Sequence, residues 1–180
     1  MNFQAVLDLL SREFTRHRVR HGLIGGMAVS ILGTPRATRD LDFLVHRDDL
    51  AKVDAVMGKL GYRRTARTEN FTRYEGRWPH QGTVDVQHAF RAPGLAMLGR
   101  ARARKVPGLR VAPRVLQRED LVGLKLQALV NDPDRADRDR ADIRGLLRGR
   151  KPRWARVLGY YGDFGRRREG LRLRRKLAGR

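Results

Sequence analysis

The stretch from His21 to Val45 constrains the fold more than any other part of the chain. A short apolar lead, His21-Gly22-Leu23-Ile24, runs into Gly25-Gly26, and an apolar segment follows up to Leu32 and Gly33. This is the pattern of a strand ending in a glycine turn that opens a short helix. The polar loop Thr34-Pro35-Arg36-Ala37-Thr38-Arg39 then leads into a second apolar strand with two carboxylates, Asp40-Leu41-Asp42-Phe43-Leu44-Val45. Residues two apart in a strand share a face, so Asp40 and Asp42 point one way while Leu41, Phe43 and Val45 enter the core. Two like charges held together on a rigid element cost stability unless a cation or a donor compensates them.

The rest of the chain supplies a frame for that stretch. Phe3, Val6, Leu7, Leu10 and Phe14 recur at helical spacing and predict an amphipathic helix over 2–18. Leu50, Val53, Val56, Met57 and Leu60 predict another, with Asp48 or Asp49 near its cap and Gly61 past its end. Strands are expected at 62–68, 71–74 and 83–88, the last alternating Val84 and Val86 against Thr83, Asp85 and Gln87. That strand carries a third carboxylate. A helix is expected over 93–103 and a short extended piece around 109–111. Helices are then expected over 119–130 and 135–147, with further helical pieces from Trp154 to Leu177 and the basic tail from Arg148 to Arg180 as either a docked basic helix pair or a partly disordered segment. The class is α+β, a mixed β-sheet with flanking helices and a C-terminal helical extension.

Composition removes several function classes. The chain has 180 residues and no cysteine, which excludes thiol nucleophiles, disulfides and thiolate metal sites. Ser11 and Ser30 are its only serines, a poor basis for a serine hydrolase. No apolar run approaches the ~20 residues of a membrane span, and Met1-Asn2-Phe3 starts an amphipathic segment, so a cytoplasmic protein without a membrane partner is expected. The net charge is +21, unevenly spread: residues 1–90 hold 14 basic and 10 acidic side chains, residues 91–180 hold 26 and 9. Such a field attracts polyanions, nucleic acid first among them, or else belongs to an arginine-rich solvated surface. His17 and His21 stand four apart, a chelating spacing on a helix, but Gly22 and the following strand lie where the helix ends.

Asp40, Asp42 and Asp85 carry the sharpest chemical reading. Hard divalent ions with oxygen ligands, Mg²⁺ above all, suit paired carboxylates, and three of them can hold two ions for an in-line displacement at phosphorus. Gly25-Gly26 lets bare backbone approach phosphate oxygens where any Cβ would stand in the way. It is neither a dinucleotide fingerprint nor a P-loop, because the required glycines and the Gly-Lys-Ser/Thr are absent.

The order Ile24-Gly25-Gly26, Asp40-Leu41-Asp42-Phe43 and Val84-Asp85-Val86 resembles the polymerase-beta-like nucleotidyltransferase superfamily. Within it, three further segments resemble the bacterial abortive-infection (AbiEii-type) toxin-like nucleotidyltransferases. These are Arg36-x-Thr38-x-Asp40, the run Glu119-Asp120-Leu121-Val122-x-Leu124-Lys125-Leu126-x-Ala128, and Asp139-x-x-Asp142-Ile143. The resemblance spans about 20–147 and implies a nucleotidyltransferase core with its N-terminal helix over 1–112 and a helical part with a basic tail over 113–180.

It further implies transfer of a nucleotide from a nucleoside triphosphate to an acceptor, with Mg²⁺ (two ions, Mn²⁺ as substitute) and pyrophosphate leaving. Asp40 and Asp42 would ligate the ions. Asp85 would complete the second site and draw the acceptor's proton. Gly25 and Gly26 would hold the terminal phosphates, with Arg36, Thr38 and Arg39 on the adjoining loop. Lys125, one of six lysines, sits in an apolar run where its ammonium could neutralise triphosphate charge or snorkel from a helix face. Asp139 and Asp142 share a helix face and would either join the site or form a surface ladder with neighbouring arginines. Trp78 and His80 precede the third acidic strand and could meet a base or an acceptor.

The acceptor expected from the charge is RNA, such as a tRNA end, or a protein, in the manner of a toxin with a separate antitoxin as partner. The alternatives are a small-molecule, antibiotic-type nucleotidyltransferase and a non-catalytic nucleic-acid-binding protein on the same fold.

Overall fold

The computed structural model describes residues 2–33, 35, 37–132, 134, 136–149 and 151–178; Thr34 and Arg36 of the polar loop before Asp40 lie outside them. The chain divides into two compact units, Met1–Ile31 with Arg36–Leu116, and Leu32–Pro35 with Gln117–Arg180.

The first unit is a seven-stranded mixed sheet with helices. Helix α1 (Phe3–Arg16) is capped by the Asn2 side chain, which accepts from the Ala5 N–H at 3.2 Å, and it buries Val6, Leu7, Leu10 and Phe14. Strand β1 (His21–Ile24) is buried throughout and ends in α2 (Gly25–Ile31). Strand β2 (Asp40–His46) follows, then a single 3-10 turn (Arg47–Asp49) and α3 (Leu50–Lys59). Strands β3 (Tyr62–Arg67), β4 (Phe71–Gly76) and β5 (Thr83–Ala89), helix α4 (Ala92–Arg100), and the two-residue strands β6 (Arg102–Ala103) and β7 (Arg114–Val115) complete it. The order across the sheet is β3-β4-β5-β2-β1-β7-β6. Strand β2 runs antiparallel to β1 and parallel to β5, so the acidic strands are central neighbours.

Register is fixed by the apolar face. Leu41, Phe43 and Val45 are fully buried, and Phe43 meets Phe14 edge-on at 5.3 Å between centroids. Burying one such side chain is worth roughly 1.5–3 kcal/mol, and a one-residue slip would drive Asp40 and Asp42 into the core instead.

Three details depart from sequence expectation. The helix expected to run to 103 ends at Arg100, and Arg102–Ala103 form β6 instead. Asp49 occupies the N-cap position of α3 but makes no capping bond; its carboxylate accepts from the Arg20 backbone N–H (2.9 Å), Arg20 Nε (2.7 Å) and Lys52 Nζ (2.8 Å). Burial works to raise this carboxyl, and those donors outweigh it and hold it below the usual carboxylate range. The extended piece expected around 109–111 is not a strand. Asp8 Oδ1 accepts from the N–H groups of Arg110 and Val111, both at 2.8 Å, and the ladder forms later, at β7.

The second unit is helical among its described residues: α5 (Arg118–Asn131), α6 (Ala136–Leu147), α7 (Trp154–Asp163) and α8 (Arg167–Ala178). Helix α5 buries Leu121, Val122, Leu126 and Leu129, and packs on α6 and α7. The basic tail is a helix pair. Helix α8 approaches α7 at Gly170, where a Cβ would stand 2.8 Å from the Tyr161 ring, so only glycine permits the contact.

Candidate active site

The parallel register of β2 and β5 sets Asp42 directly opposite Asp85, with Asp40 opposite Thr83. Cross-strand partners share a face, and Asp40 lies two residues before Asp42 on that same face. The three carboxylates therefore converge, each offering an oxygen within 4.8 Å of the others. Oxygens that all lie 2.0–2.6 Å from one hard divalent ion stand at most about 5 Å apart, so the donor set and its spacing fit such an ion. Asp85 is 7% exposed, while Asp40 and Asp42 are half-buried and open toward solvent.

Gly25 closes one side of the cluster. Its φ is +64°, and a Cβ built there would collide with the Asp42 carboxylate. Both the turn and the close approach exclude other residues. Ile24 pairs with Asp42 across β1 and β2, which places the glycine turn beside the acids through the sheet itself. Thr38 Oγ1 donates to Asp40 Oδ1 at 3.0 Å and so braces the first acid from the preceding loop.

Sequence reasoning missed Arg73. It lies opposite Asp85 in the antiparallel pairing of β4 with β5, and its guanidinium binds both carboxylate oxygens, Nε to Oδ1 at 2.8 Å and Nη2 to Oδ2 at 2.7 Å. The bidentate bond and the charge of Asp85 raise the guanidinium's proton affinity further above its already high value. The signal was present in the alternation of β4, where Thr72 and Tyr74 are buried and Arg73 faces outward.

Arg36 lies outside the described residues. Gly26 is buried at the start of α2. Arg39 is exposed on the bend before β2, with no hydrogen bond or ion pair among the described residues. Trp78, 54% exposed, and the exposed His80 occupy the turn between β4 and β5. His17 lies 3.9 Å from Glu13, whereas His21 is buried in β1, bonded through Nδ1 to the Val19 carbonyl, so the pair does not chelate. Burial pushes the His21 imidazole down to about 4, which leaves it neutral at pH 7.

Lys125, Asp139 and Asp142 form their own buried cluster within the second unit. Lys125 Nζ lies 2.7 Å from Asp139 Oδ1 and 2.8 Å from Asp142 Oδ2. It does not snorkel, and the two aspartates make no surface ladder.

A glycine turn between strand and helix, set against an Asp-x-Asp strand with a third acid on its parallel neighbour, lies within a mixed sheet flanked by helices. Together these define a nucleotidyltransferase fold. The chain belongs to a family described as uncharacterised nucleotidyltransferases, whose sequence pattern matches residues 2–160. As a nucleotidyltransferase it is an enzyme that transfers a nucleotide, with a nucleoside triphosphate as substrate. No curated protein matches it in sequence.

Among solved structures it is similar to the antibiotic-resistance factor ANT(2'')-Ia, at 16% identity and TM-score 0.66, over 98% of this chain and 99% of that one. It is also similar to a nucleotidyltransferase-like antigen from Paracoccidioides brasiliensis (16% identity, TM-score 0.61, 98% and 93% covered). A third is the lincosamide antibiotic adenylyltransferase LnuA in its lincomycin-bound form (18% identity, TM-score 0.57, 79% and 95% covered). Likeness at such identities is likeness of fold. No described helix is long and apolar enough to cross a membrane.

Proposed function

We propose that this enzyme moves a nucleotide from a nucleoside triphosphate to a hydroxyl of a polyanionic acceptor, RNA in the first instance, through the acidic cluster of β2 and β5. The observation that carries the reading is the convergence of Asp40, Asp42 and Asp85 within 4.8 Å beside a glycine turn. Asp40, Asp42 and Asp85 would hold divalent ions, Mg²⁺ before Mn²⁺. Bound there, such ions would neutralise the charge of the reacting phosphates.

The chain's own groups do the rest. Gly25 and Gly26 let backbone approach the terminal phosphates, and Thr38 keeps Asp40 oriented. Arg39 and Arg36, on the loop before β2, contact phosphate oxygens as guanidinium donors. Asp85 accepts the proton of the acceptor hydroxyl as its oxygen bonds to the α-phosphorus. The bond from that phosphorus to the oxygen bridging toward the β-phosphorus breaks, and pyrophosphate departs with that oxygen. Lys125, expected from its apolar setting to meet the triphosphate, is assigned instead to the second unit's ion cluster, where two carboxylates already hold it at 2.7 and 2.8 Å.

The acceptor assignment rests on charge: residues 91–180 carry 26 basic against 9 acidic side chains. An AbiEii-type toxin, restrained by an antitoxin, is the biological setting this reading favours. Each labelled triphosphate, with Mg²⁺ and total lysate, is expected to label the RNA fraction with wild-type protein and not with Asp42→Ala. Equal labelling by both proteins would remove the site assignment.

A second reading has a specific observation behind it. ANT(2'')-Ia is an antibiotic-resistance factor and LnuA an antibiotic adenylyltransferase, so a small hydroxylated acceptor belongs in the same assay. Cationic acceptors rank below RNA because a +21 protein repels them. Label in an added antibiotic, with none in RNA, would replace the first reading by this one.

A further inference from the structure

The second unit carries a charged feature that the acidic site does not use. Residues 117–180 contain 19 basic and 9 acidic side chains. Three of those acids, Asp139, Asp142 and Glu169, are already bonded to Lys125 or Arg166, so they do little to offset the outer cations. Helix α8 is the extreme case. Arg168, Arg172 and Lys176 follow one another at intervals of four residues and are all exposed. Like charges at that spacing destabilise a helix by a few tenths of a kcal/mol per pair, so the stripe costs the fold something unless an anion meets it.

A cleft of about 200 Å³ lies between α6 and α8. Arg140 and Arg144 line it from α6, and Arg172 and Lys176 from α8. Arg144, Arg172 and Lys176 have no carboxylate partner among the described residues, and Arg140 has only the fully exposed Asp137 at 3.6 Å. One acid, Glu169, also lines the cleft, and Arg166 already binds it at 2.9 Å. Tyr161 contributes a phenol with no hydrogen-bond partner among the described residues. Burial pushes that phenol up to about 12, so it remains an O–H donor at neutral pH.

We propose that the face formed by α6 and α8 is a docking surface for a nucleic-acid backbone, with a phosphate seated in the Arg140–Arg144–Arg172–Lys176 cleft. A single phosphate would leave most of the stripe unmet. Arg168 to Lys176 spans about 12 Å of helix, and one strand of a duplex advances only about 3.4 Å of axis per phosphate, so the stripe can face more than one phosphate. An anionic membrane is the poorer occupant, because the one large apolar side chain that α8 exposes is Leu171, at 39%, too little apolar surface to insert. The inference rests on the acceptor half of the function proposed above and on none of its chemistry.

The test is fluorescence anisotropy with the full chain, a labelled RNA hairpin of about 20 nucleotides and EDTA, without triphosphate. Wild-type protein is expected to bind with a steep negative salt dependence. The triple variant Arg144→Ala/Arg172→Ala/Lys176→Ala should bind at least tenfold more weakly near 0.1 M salt, with a slope shallower by about two to three. Tyr161→Phe, which keeps the ring and hence the α7–α8 packing, should lose a few-fold. Unchanged circular dichroism must accompany both variants.

RNA binding by the triple variant as tight as wild type would overturn the proposal. So would polyglutamate or anionic vesicles binding as strongly as RNA with the same loss on substitution. Asp42→Asn should bind RNA normally while losing transfer, so the surface and the catalytic reading fail separately.

Discussion

The acidic cluster of β2 and β5 and the Lys125 cluster of α5 and α6 each contain carboxylates held close together, and they solve the problem of like charge differently. In the second unit a lysine ammonium lies between two buried carboxylates at 2.7 and 2.8 Å. In the first unit three carboxylates face one another within 4.8 Å, Asp40 and Asp42 half open to solvent, and Arg73 binds Asp85, the most buried of them. At such separations a like-charge pair repels by roughly 4 kcal/mol at an effective dielectric near 20. The contrast is between a buried cluster with an ammonium of its own chain at its centre and a half-open one that gathers three carboxylates, the site proposed above for divalent ions.

The largest expected effect lies in the open cluster. Asp42→Asn should lower nucleotide transfer at least about a thousandfold, some 4 kcal/mol in barrier, while the thermal midpoint stays level or rises because repulsion is relieved. A fall in stability matching the fall in rate would break the comparison, since Asp42 would then be structural. The closed cluster should respond in the opposite sense. Lys125→Met removes the ammonium between two buried carboxylates and should cost about 3–5 kcal/mol of stability, read from urea unfolding. Adding Asp139→Asn and Asp142→Asn should recover part of that loss. A Lys125→Met protein of native stability with a raised KM for the triphosphate would return Lys125 to the nucleotide.

A buried group of the first unit responds to pH alone. The His21 imidazole packs edge-on against Phe14 and Phe43 and is pushed down to about 4 by burial. Its folded pKa lies below its unfolded value near 6.5, so the unfolded chain binds the proton more readily. The associated stability is fully present above pH 6.5 and is lost as pH falls toward 4, by roughly 3 kcal/mol. Asp49, held low by Arg20 and Lys52, adds a loss in the same direction below the ordinary carboxylate range. His21→Phe should flatten unfolding free energy between pH 6.5 and 4; a slope unchanged by that substitution would assign the acid sensitivity to carboxylates.

What could be read from the sequence was what depends on neighbours along the chain. The strand, glycine turn and short helix from His21 to Ile31 declare themselves by local pattern, and the alternation in 40–45 and 83–88 fixes which way each aspartate points. The ion pairs of Lys125 could not be read because its partners lie 14 and 17 residues on, in α6, and its apolar surroundings fit a ligand-facing ammonium equally well. Asp49 sat where a cap belongs, but three donors from Arg20 and Lys52 outbid a helix N-terminus. Arg73 was invisible for a different reason. Its pairing with Asp85 depends on the register of β4 against β5, and the turn from Arg77 to Gly82 is too long to set register from its composition.

Arg73 therefore gives the finest test of the contrast between the clusters. Its two bonds engage the same Asp85 oxygens that a divalent ion would need, so guanidinium and ion compete for one carboxylate. Arg73 is largely exposed, which keeps the bond to Asp85 modest in water and lets the side chain swing away. Arg73→Met should consequently tighten Mn²⁺ binding about three- to tenfold, read by electron paramagnetic resonance without triphosphate. Asp54, which accepts from Arg67 and Tyr74 outside the acidic cluster, supplies the control: Asp54→Asn should leave Mn²⁺ affinity unchanged. Weaker Mn²⁺ binding by Arg73→Met would instead mean that the arginine holds Asp85 in its ligating pose, making the open cluster, like the closed one, partly built by a cation of its own chain.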